Sequence, residues 1–350
     1  VILRSAMRFK HVRRASATAT ARAAAASLAV AALAAGCSSS SSSTSASTPS
    51  SPSSSSPSSS SSKLETTHIV VGALPVVDTA GLYLALKNGY FKQAGLDVTV
   101  EPIAQSTAAL PDMLHGTVNV VAGANYVSWF QAQAKGAVSL RVLASGTVCV
   151  PTSFDVLALP SSHITKPADL AGKTIAVNLT NNVQTLTVNA MLKADGVNPS
   201  SVHYVVIPFP DMVAALTAHR VDAISAVEPF VTGAKAAGAA QVLSECQGPT
   251  ASFPLSGYFA TSSWVQSNPN TARAFQQALE KGQAYADANP QSIRSIIPTY
   301  TKITSAAAAK LALNTYPSTL DAAPMQRVVS AMVSGGLLTK PFDVGSLLLG

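Results

Sequence analysis

The sequence predicts an α/β protein. From Thr67 onward, short runs rich in β-branched residues alternate with helical stretches, and many of those stretches stop at a glycine. The 350 residues, 47% hydrophobic and 11% charged, suffice for two cores of ordinary size. The same composition excludes a collagen, a coiled coil and a wholly disordered chain.

The elements follow from these patterns in order. Residues 68–73 read as a strand, 79–88 as a helix with Asp78 or Thr79 as N-cap and Gly89 as C-cap, and 97–101 as the next strand. Residues 118–122 form a strand leading through Gly123-Ala124-Asn125 into a helix that ends near Gly136, and 139–145 form another. Strands over 154–159, 174–178, 202–207 and 222–226 continue the series, with helices between them. Residues 263–336 read as mainly helical, broken by Pro269, Pro290, Pro298, Pro317 and Pro324, and leave no long structureless loop. Ligands of open parallel sheets gather at the C-terminal strand ends. The candidate site therefore lies in loops 74–79, 104–107, 123–126, 178–182 and 227–230.

Ahead of this body, a basic stretch ending at Arg22 precedes an apolar run over 23–35, too short to cross a hydrocarbon core of about 30 Å. Residues 1–36 read as an export signal, for which Met7 offers a conventional start. The run closes with Leu33-Ala34-Ala35-Gly36-Cys37, which resembles the bacterial lipobox and makes Cys37 the expected lipidation site. The expected location is the outer face of the cytoplasmic membrane. Sec export is the plain reading; Arg13-Arg14 leaves the twin-arginine route open. Residues 37–62 hold 19 serines in 26 positions and no large apolar side chain, so this stretch, extended to residue 66, is expected to be a flexible tether. A coil of that length spans roughly 25–30 Å.

The formal charge of +7 is concentrated in the signal, where Arg4, Arg8, Lys10, Arg13, Arg14 and Arg22 meet no acid. Subtracting these six leaves 17 basic against 16 acidic residues, too balanced for non-specific nucleic-acid binding. Catalytic motifs are missing as well. No Gly-x-Ser-x-Gly elbow, phosphate-cradling Gly-x-x-x-x-Gly-Lys, Gly-x-Gly-x-x-Gly turn or Cys-x-x-Cys occurs, and the six histidines are scattered. No cofactor and no metal are expected.

The run Asp78-Thr79-Ala80-Gly81-Leu82-Tyr83 through Asn88-Gly89-Tyr90-Phe91 to Gly95-Leu96-Asp97-Val98 resembles the opening signature of the solute-binding proteins of nitrate, sulfonate, taurine and thiamine-precursor importers. Matching runs follow in order: Asp169-Leu170-Ala171-Gly172-Lys173-Thr174, then Ala214-Ala215-Leu216 to Arg220-Val221-Asp222-Ala223, then Val227-Glu228-Pro229-Phe230. Met325-Gln326-Arg327 to Gly335-Gly336-Leu337-Leu338 closes the series. Arg220 and Asn119 depart from the pattern, which usually has glycine and often aspartate there. The resemblance covers about residues 67–342. It implies the type II periplasmic-binding-protein fold, two α/β lobes joined by a two-strand hinge that closes around a ligand. Lobe 1 would take residues 67–152 and 251–350, and lobe 2 residues 153–250. The crossings would fall near 143–152 and 247–258. Cys149 and Cys246 then lie at the two crossings and are expected to be bonded, with separate buried thiols as the alternative.

Within this frame, Asp78 and Thr79 stand either as ligand contacts or as helix caps. Ser106 and Thr107 open a helix whose amides and hydroxyls suit a ligand oxygen, or cap it. Asn125 and Tyr126 follow Gly123, where backbone and ligand approach closely. Asn178, Thr180, Asn181 and Asn182 form a polar cluster that either clamps the ligand from the second lobe or builds a turn. Glu228, before Pro229, is expected at the cleft, and Tyr258 or Phe259 to stack on a flat ligand or fill the core. None of the five loops holds an Arg or Lys fork for an oxyanion, so a neutral or amine-bearing heterocycle is preferred over an alkanesulfonate.

The expected function is capture of a small organic nutrient by a lipid-tethered, monomeric protein that delivers it to an ABC permease and its ATPase. The alternatives are a pyrimidine-precursor synthase-like enzyme on the same fold, and a surface scaffold on a serine stalk.

Overall fold

A computed structural model describes residues 63–350. The signal segment, Cys37 and the tether over 37–62 lie outside the described residues. Residues 63–66, assigned to the tether by composition, pack on the body instead: Glu65 accepts the Thr271 amide (2.9 Å), and Thr66 and Thr271 exchange hydrogen bonds.

Ten strands form two five-stranded sheets. Lobe 1 holds β1 (His68–Ala73), β2 (Asp97–Pro102), β3 (Val120–Asn125), β4 (Leu140–Ser145) and, from late in the chain, β10 (Ser256–Thr261), in the order β2-β1-β3-β10-β4. Lobe 2 holds β5 (Phe154–Ala158), β6 (Thr174–Val177), β7 (His203–Val206), β8 (Ala223–Val227) and β9 (Ala240–Ser244), in the order β7-β6-β8-β5-β9. Each sheet is parallel except for the strand that enters from the other lobe. β10 runs antiparallel between β3 and β4, and β5 antiparallel between β8 and β9. That inversion brings the first residues of β10 to the edge where β1 and β3 end, which is the edge facing lobe 2.

The expected eight strands are present; β9 was not foreseen, and β10 overlaps the return crossing that the resemblance implied near 247–258 but begins and ends later and is a full member of the lobe 1 sheet. β10 is buried along its whole length, so it lacks the alternation that marks a half-buried strand, and Gly257 weakens its β signal further. The C-terminal region is helical over Ser262–Ser267, Pro269–Ala288, Pro290–Ile296, Ser305–Ala308 and Ala322–Ser334, but residues 309–321 form an irregular strap, contrary to expectation.

The helix Ala80–Lys87 crosses Pro269–Ala288 at Gly81 and Gly282, where a Cβ on Gly282 would run into the Gly81 carbonyl. Beneath them Ile69, Val71, Leu82, Phe91, Phe275 and Leu279 close one face of the lobe 1 sheet. On the other face Trp129 stacks on Phe259 with ring centroids 5.5 Å apart. In lobe 2, Val156, Ile175, Val188 and Leu192 fill the corresponding layer.

Two segments join the lobes, 146–153 and 245–255, and they hydrogen-bond as an antiparallel pair: Gly146 N to Ser256 O (2.8 Å), Leu255 N to Thr147 O (2.9 Å) and Cys149 N to Phe253 O (3.0 Å). The strap adds a third layer, since Val148 and Thr315 exchange backbone hydrogen bonds at 3.1 Å. Cys149 and Cys246, both buried, form a disulfide with Cα atoms 5.7 Å apart.

Candidate functional site

The facing strand ends enclose a compartment of about 40 Å³. Lobe 1 supplies Leu74, Val76 and Asp78 from the loop after β1, Gly123 and Asn125 from the end of β3, and Ser256 from the start of β10, with Leu255 just before it in the crossing segment. Lobe 2 supplies Asn178 after β6, Asn182 and Val183 at the head of the helix Val183–Ala194, Phe209, and Val227 from the end of β8. Gly123 is required by its surroundings. Its φ is +68°, and a Cβ there would lie 2.8 Å from the Thr79 methyl.

Asp78 sits on the compartment floor, 5% exposed, and caps no helix. Its carboxylate accepts from the Ser256 hydroxyl (2.8 Å) and from the Asn314 side-chain amide (3.0 Å), the latter reaching in from the strap. Burial raises its pKa, and these hydrogen bonds only partly oppose the rise. Asn125 caps the helix Tyr126–Ala134 through its oxygen, which accepts from Ser128 N (2.8 Å). Its NH2 group, with no hydrogen bond among the described residues, remains for a ligand. Asn178 uses its NH2 on Ala104 O (3.3 Å), which leaves its oxygen available as an acceptor. The compartment thus offers one carboxylate, one amide donor and one amide acceptor on apolar walls. No Lys, Arg or His lines it.

Five hydrogen bonds zip the two lobes together around it. They run from Gln105 Nε2 to Asn178 O (2.8 Å), Asn178 Nδ2 to Ala104 O (3.3 Å), Gln131 Nε2 to Asn181 O (2.5 Å), Val77 N to Glu228 O (3.1 Å) and Ala312 N to Glu228 Oε1 (3.1 Å). The cleft is therefore closed. At roughly 10–15 Å³ per water, the compartment has room for about three waters, so a larger solute needs the lobes to part.

Of the residues singled out by sequence, the structure brings together Asp78, Asn125, Asn178 and Asn182. The others lie elsewhere. Thr79 is fully buried and its hydroxyl lies within hydrogen-bonding distance of both Leu74 O (3.0 Å) and Val76 O (2.9 Å), which ties down the turn below the site. Ser106 is buried with an unpartnered hydroxyl, and Thr107 is half-buried beside it; neither lines the compartment. Tyr126 packs in the lobe 1 core against Phe130, Phe259 and Gly257. Tyr258, expected to stack on ligand, is fully buried in the same lobe's other core layer, two residues inward of Ser256, which takes the cleft edge, and on the face opposite Phe259. Thr180 and Asn181 line a separate groove of about 560 Å³ between the helices Val183–Ala194 and Ala322–Ser334. Glu228 lies at the lobe boundary, where its carboxylate accepts from Thr232 N (3.0 Å), the Thr232 hydroxyl (2.8 Å) and Ala312 N.

Sequence reading missed Ser256, Val183, Phe209 and Asn314. Asn182-x-x-Thr185 carried a legible capping signal, and both side chains cap the helix reciprocally. Asn314 gave none, because a strap with no periodicity reaches the site only through the tertiary fold.

A second buried acid lies behind the site. Glu245, fully buried, is bonded to the hydroxyls of Ser225 (2.6 Å) and Thr187 (2.5 Å). Thr187 is also 2.8 Å from Val183 O, and its single proton cannot serve both acceptors. A protonated Glu245 that donates to Thr187 satisfies the whole chain. Burial raises the Glu245 pKa well above its usual value of 4.5, and nearby Asp155, paired with Lys235 (3.0 Å), raises it further. A raised native pKa means that the folded state binds more protons, so stability falls as pH climbs from about 4.5 through the raised value. Glu245→Gln should flatten that decline and leave the protein at least as stable at pH 8. Melting temperatures between pH 5 and 8 check this, and a steeper decline in the variant would refute it.

Comparison with known proteins adds the family. The NMT1/THI5-like family model matches residues 77–293. The chain belongs to this family. Its sequence is 23% identical over 245 residues to the nitrate/nitrite binding protein NrtA of Nostoc sp., across 64% of this chain and 55% of that protein, so it spans about half the length of this curated relative. Its structure resembles the alkanesulfonate-binding protein SsuA from Xanthomonas axonopodis pv. citri bound to MOPS, with TM-score 0.68 and 18% identity over 82% of this chain and 99% of that one. The desulfurization enzyme DSZB is also similar, with TM-score 0.60 and 18% identity over 81% and 96%. The fold of this NMT1/THI5-like chain is thus that of the periplasmic binding proteins.

Proposed function

We propose that this protein is the solute-binding component of an ABC importer, anchored outside the cytoplasmic membrane through a lipid on Cys37. It captures one small organic molecule between its lobes and presents the closed form, as a monomer, to a permease and its ATPase. The observation that carries this reading is the zipped compartment at the facing strand ends, whose polar groups converge from both lobes. The family membership and the binding-protein relatives agree with it.

The lining also orders the ligand classes. A buried carboxylate with no cation opposite it disfavours nitrate or a sulfonate, while Asn125 and Asn178 offer a donor and an acceptor to a neutral or amine-bearing heterocycle. A pyrimidine precursor is therefore preferred over an alkanesulfonate. Such a solute exceeds the compartment, so its complex holds the lobes wider apart than they are here. An enzyme on this scaffold is the competing reading, raised by the desulfurization enzyme. Against it, Asp78 is the only titratable residue among those lining the compartment.

Thermal unfolding against a panel of pyrimidines, flavins, alkanesulfonates and nitrate tests the reading. A true solute at 100 times its dissociation constant should add about 2.7 kcal/mol of stability. Turnover of a panel compound without stabilisation by any would decide for the enzyme.

A further inference from the structure

We propose that a basic groove at the root of the N-terminal stretch is a docking face for anionic phospholipid. The groove, of about 730 Å³, lies between residues 63–64, the short helix Tyr90–Gln93 and the helix Pro269–Ala288. Lys63, Arg273 and Lys281 line it, and no acidic residue does. All three are exposed, and none forms an ion pair among the described residues. Glu65, the nearest acid in sequence, is engaged at the head of the long helix, where it accepts from Asn270 and Thr271. Half-exposed Tyr90 gives the rim an amphipathic ring of the kind that settles at headgroup level.

Position supplies the second argument. The groove begins at Lys63, the first residue after the serine-rich stretch that follows Cys37. A flexible coil of the 26 residues from Cys37 to Ser62 has a typical end-to-end distance of roughly 25–30 Å, short enough for a groove at its end to reach the headgroups when Cys37 is lipidated. The body as a whole is close to neutral, so three clustered cations set the orientation of the tethered body without competition from net charge. At about a fivefold effect per basic residue near an anionic surface, three bias docking on the order of a hundredfold.

The inference rests on the lipid-anchor reading above, and its test separates the two. The full lipidated chain, carrying a fluorophore at Lys92→Cys, is reconstituted into vesicles of phosphatidylcholine alone or with about 30% phosphatidylglycerol, and energy transfer to a bilayer dye is read. Transfer should be higher on the anionic vesicles. It should fall to the neutral-vesicle level in about 0.5 M NaCl and in the variant Lys63→Glu/Arg273→Glu/Lys281→Glu. Reversal of three exposed cations of lobe 2 (Lys166, Lys193 and Arg220) should leave it unchanged. Transfer independent of lipid charge, or equal loss in both triple variants, overturns the proposal while the anchor stands. A chain that associates with neither vesicle removes the anchor and the docking face with it.

Discussion

Removing the Cys149–Cys246 bond, by replacing both cysteines with serine, will lower the unfolding free energy by roughly 2–4 kcal/mol. The bond closes a loop of 97 residues, which holds all of β5 to β9. A loop near 100 residues loses about 4.7 kcal/mol of unfolded-state entropy in the chain-entropy account, and measured bonds usually deliver less. Both cysteines are buried, at the entry to lobe 2 and at its exit, so the bond acts on the connection between lobes and leaves both sheets intact. Urea unfolding followed by circular dichroism measures the change. The slope with denaturant should also rise, since an uncrosslinked chain exposes more surface. A loss below about 0.5 kcal/mol would show that the hydrogen-bonded crossing segments already hold the ends of lobe 2 together.

Asp78→Asn will weaken capture of the stabilising solute by at least about 30-fold while the fold is retained. The substitution keeps shape and hydrogen-bonding capacity. The Asn oxygen accepts from Asn314, and the Ser256 hydroxyl turns to accept from the new amide. Burial raises the Asp78 pKa, so the ionised carboxylate costs stability above the usual carboxylate range and the neutral variant should melt no lower at pH 7. What the variant loses is the one negative charge facing the compartment. Removing one partner of a desolvated pair costs about 2–5 kcal/mol, hence the 30-fold floor. Calorimetry on wild type and variant decides. Tighter binding by the variant would identify the ligand as an anion and overturn the preference for an amine-bearing or neutral solute.

Lobe architecture was legible in the sequence because half-buried and parallel strands leave a local trace: β-branched runs, a following turn and glycine at the helix end. β10 left little trace, since its role in the sheet depends on residues more than a hundred positions earlier. The site divides in the same way. Asn125 ends β3, Asn178 directly follows β6 and Asp78 lies in the loop after β1, so all three could be placed from topology alone. Tyr258 was misplaced because a strand's two faces cannot be told apart when both are buried. Thr180 and Asn181 sit in the expected loop but turn toward another groove, and Asn181 adopts φ +52°, a local choice that composition does not announce.

The insertion of β10 between β3 and β4 also fixes an order of assembly. Lobe 2 is contiguous from Phe154 to Ser244, and a nascent chain can complete its sheet as soon as that stretch has emerged. Lobe 1 begins first but finishes last, because β3 and β4 have no partner between them until residue 261 arrives. Until then its half-built sheet presents two unpaired edges, so the earlier lobe is the one that needs shielding during synthesis.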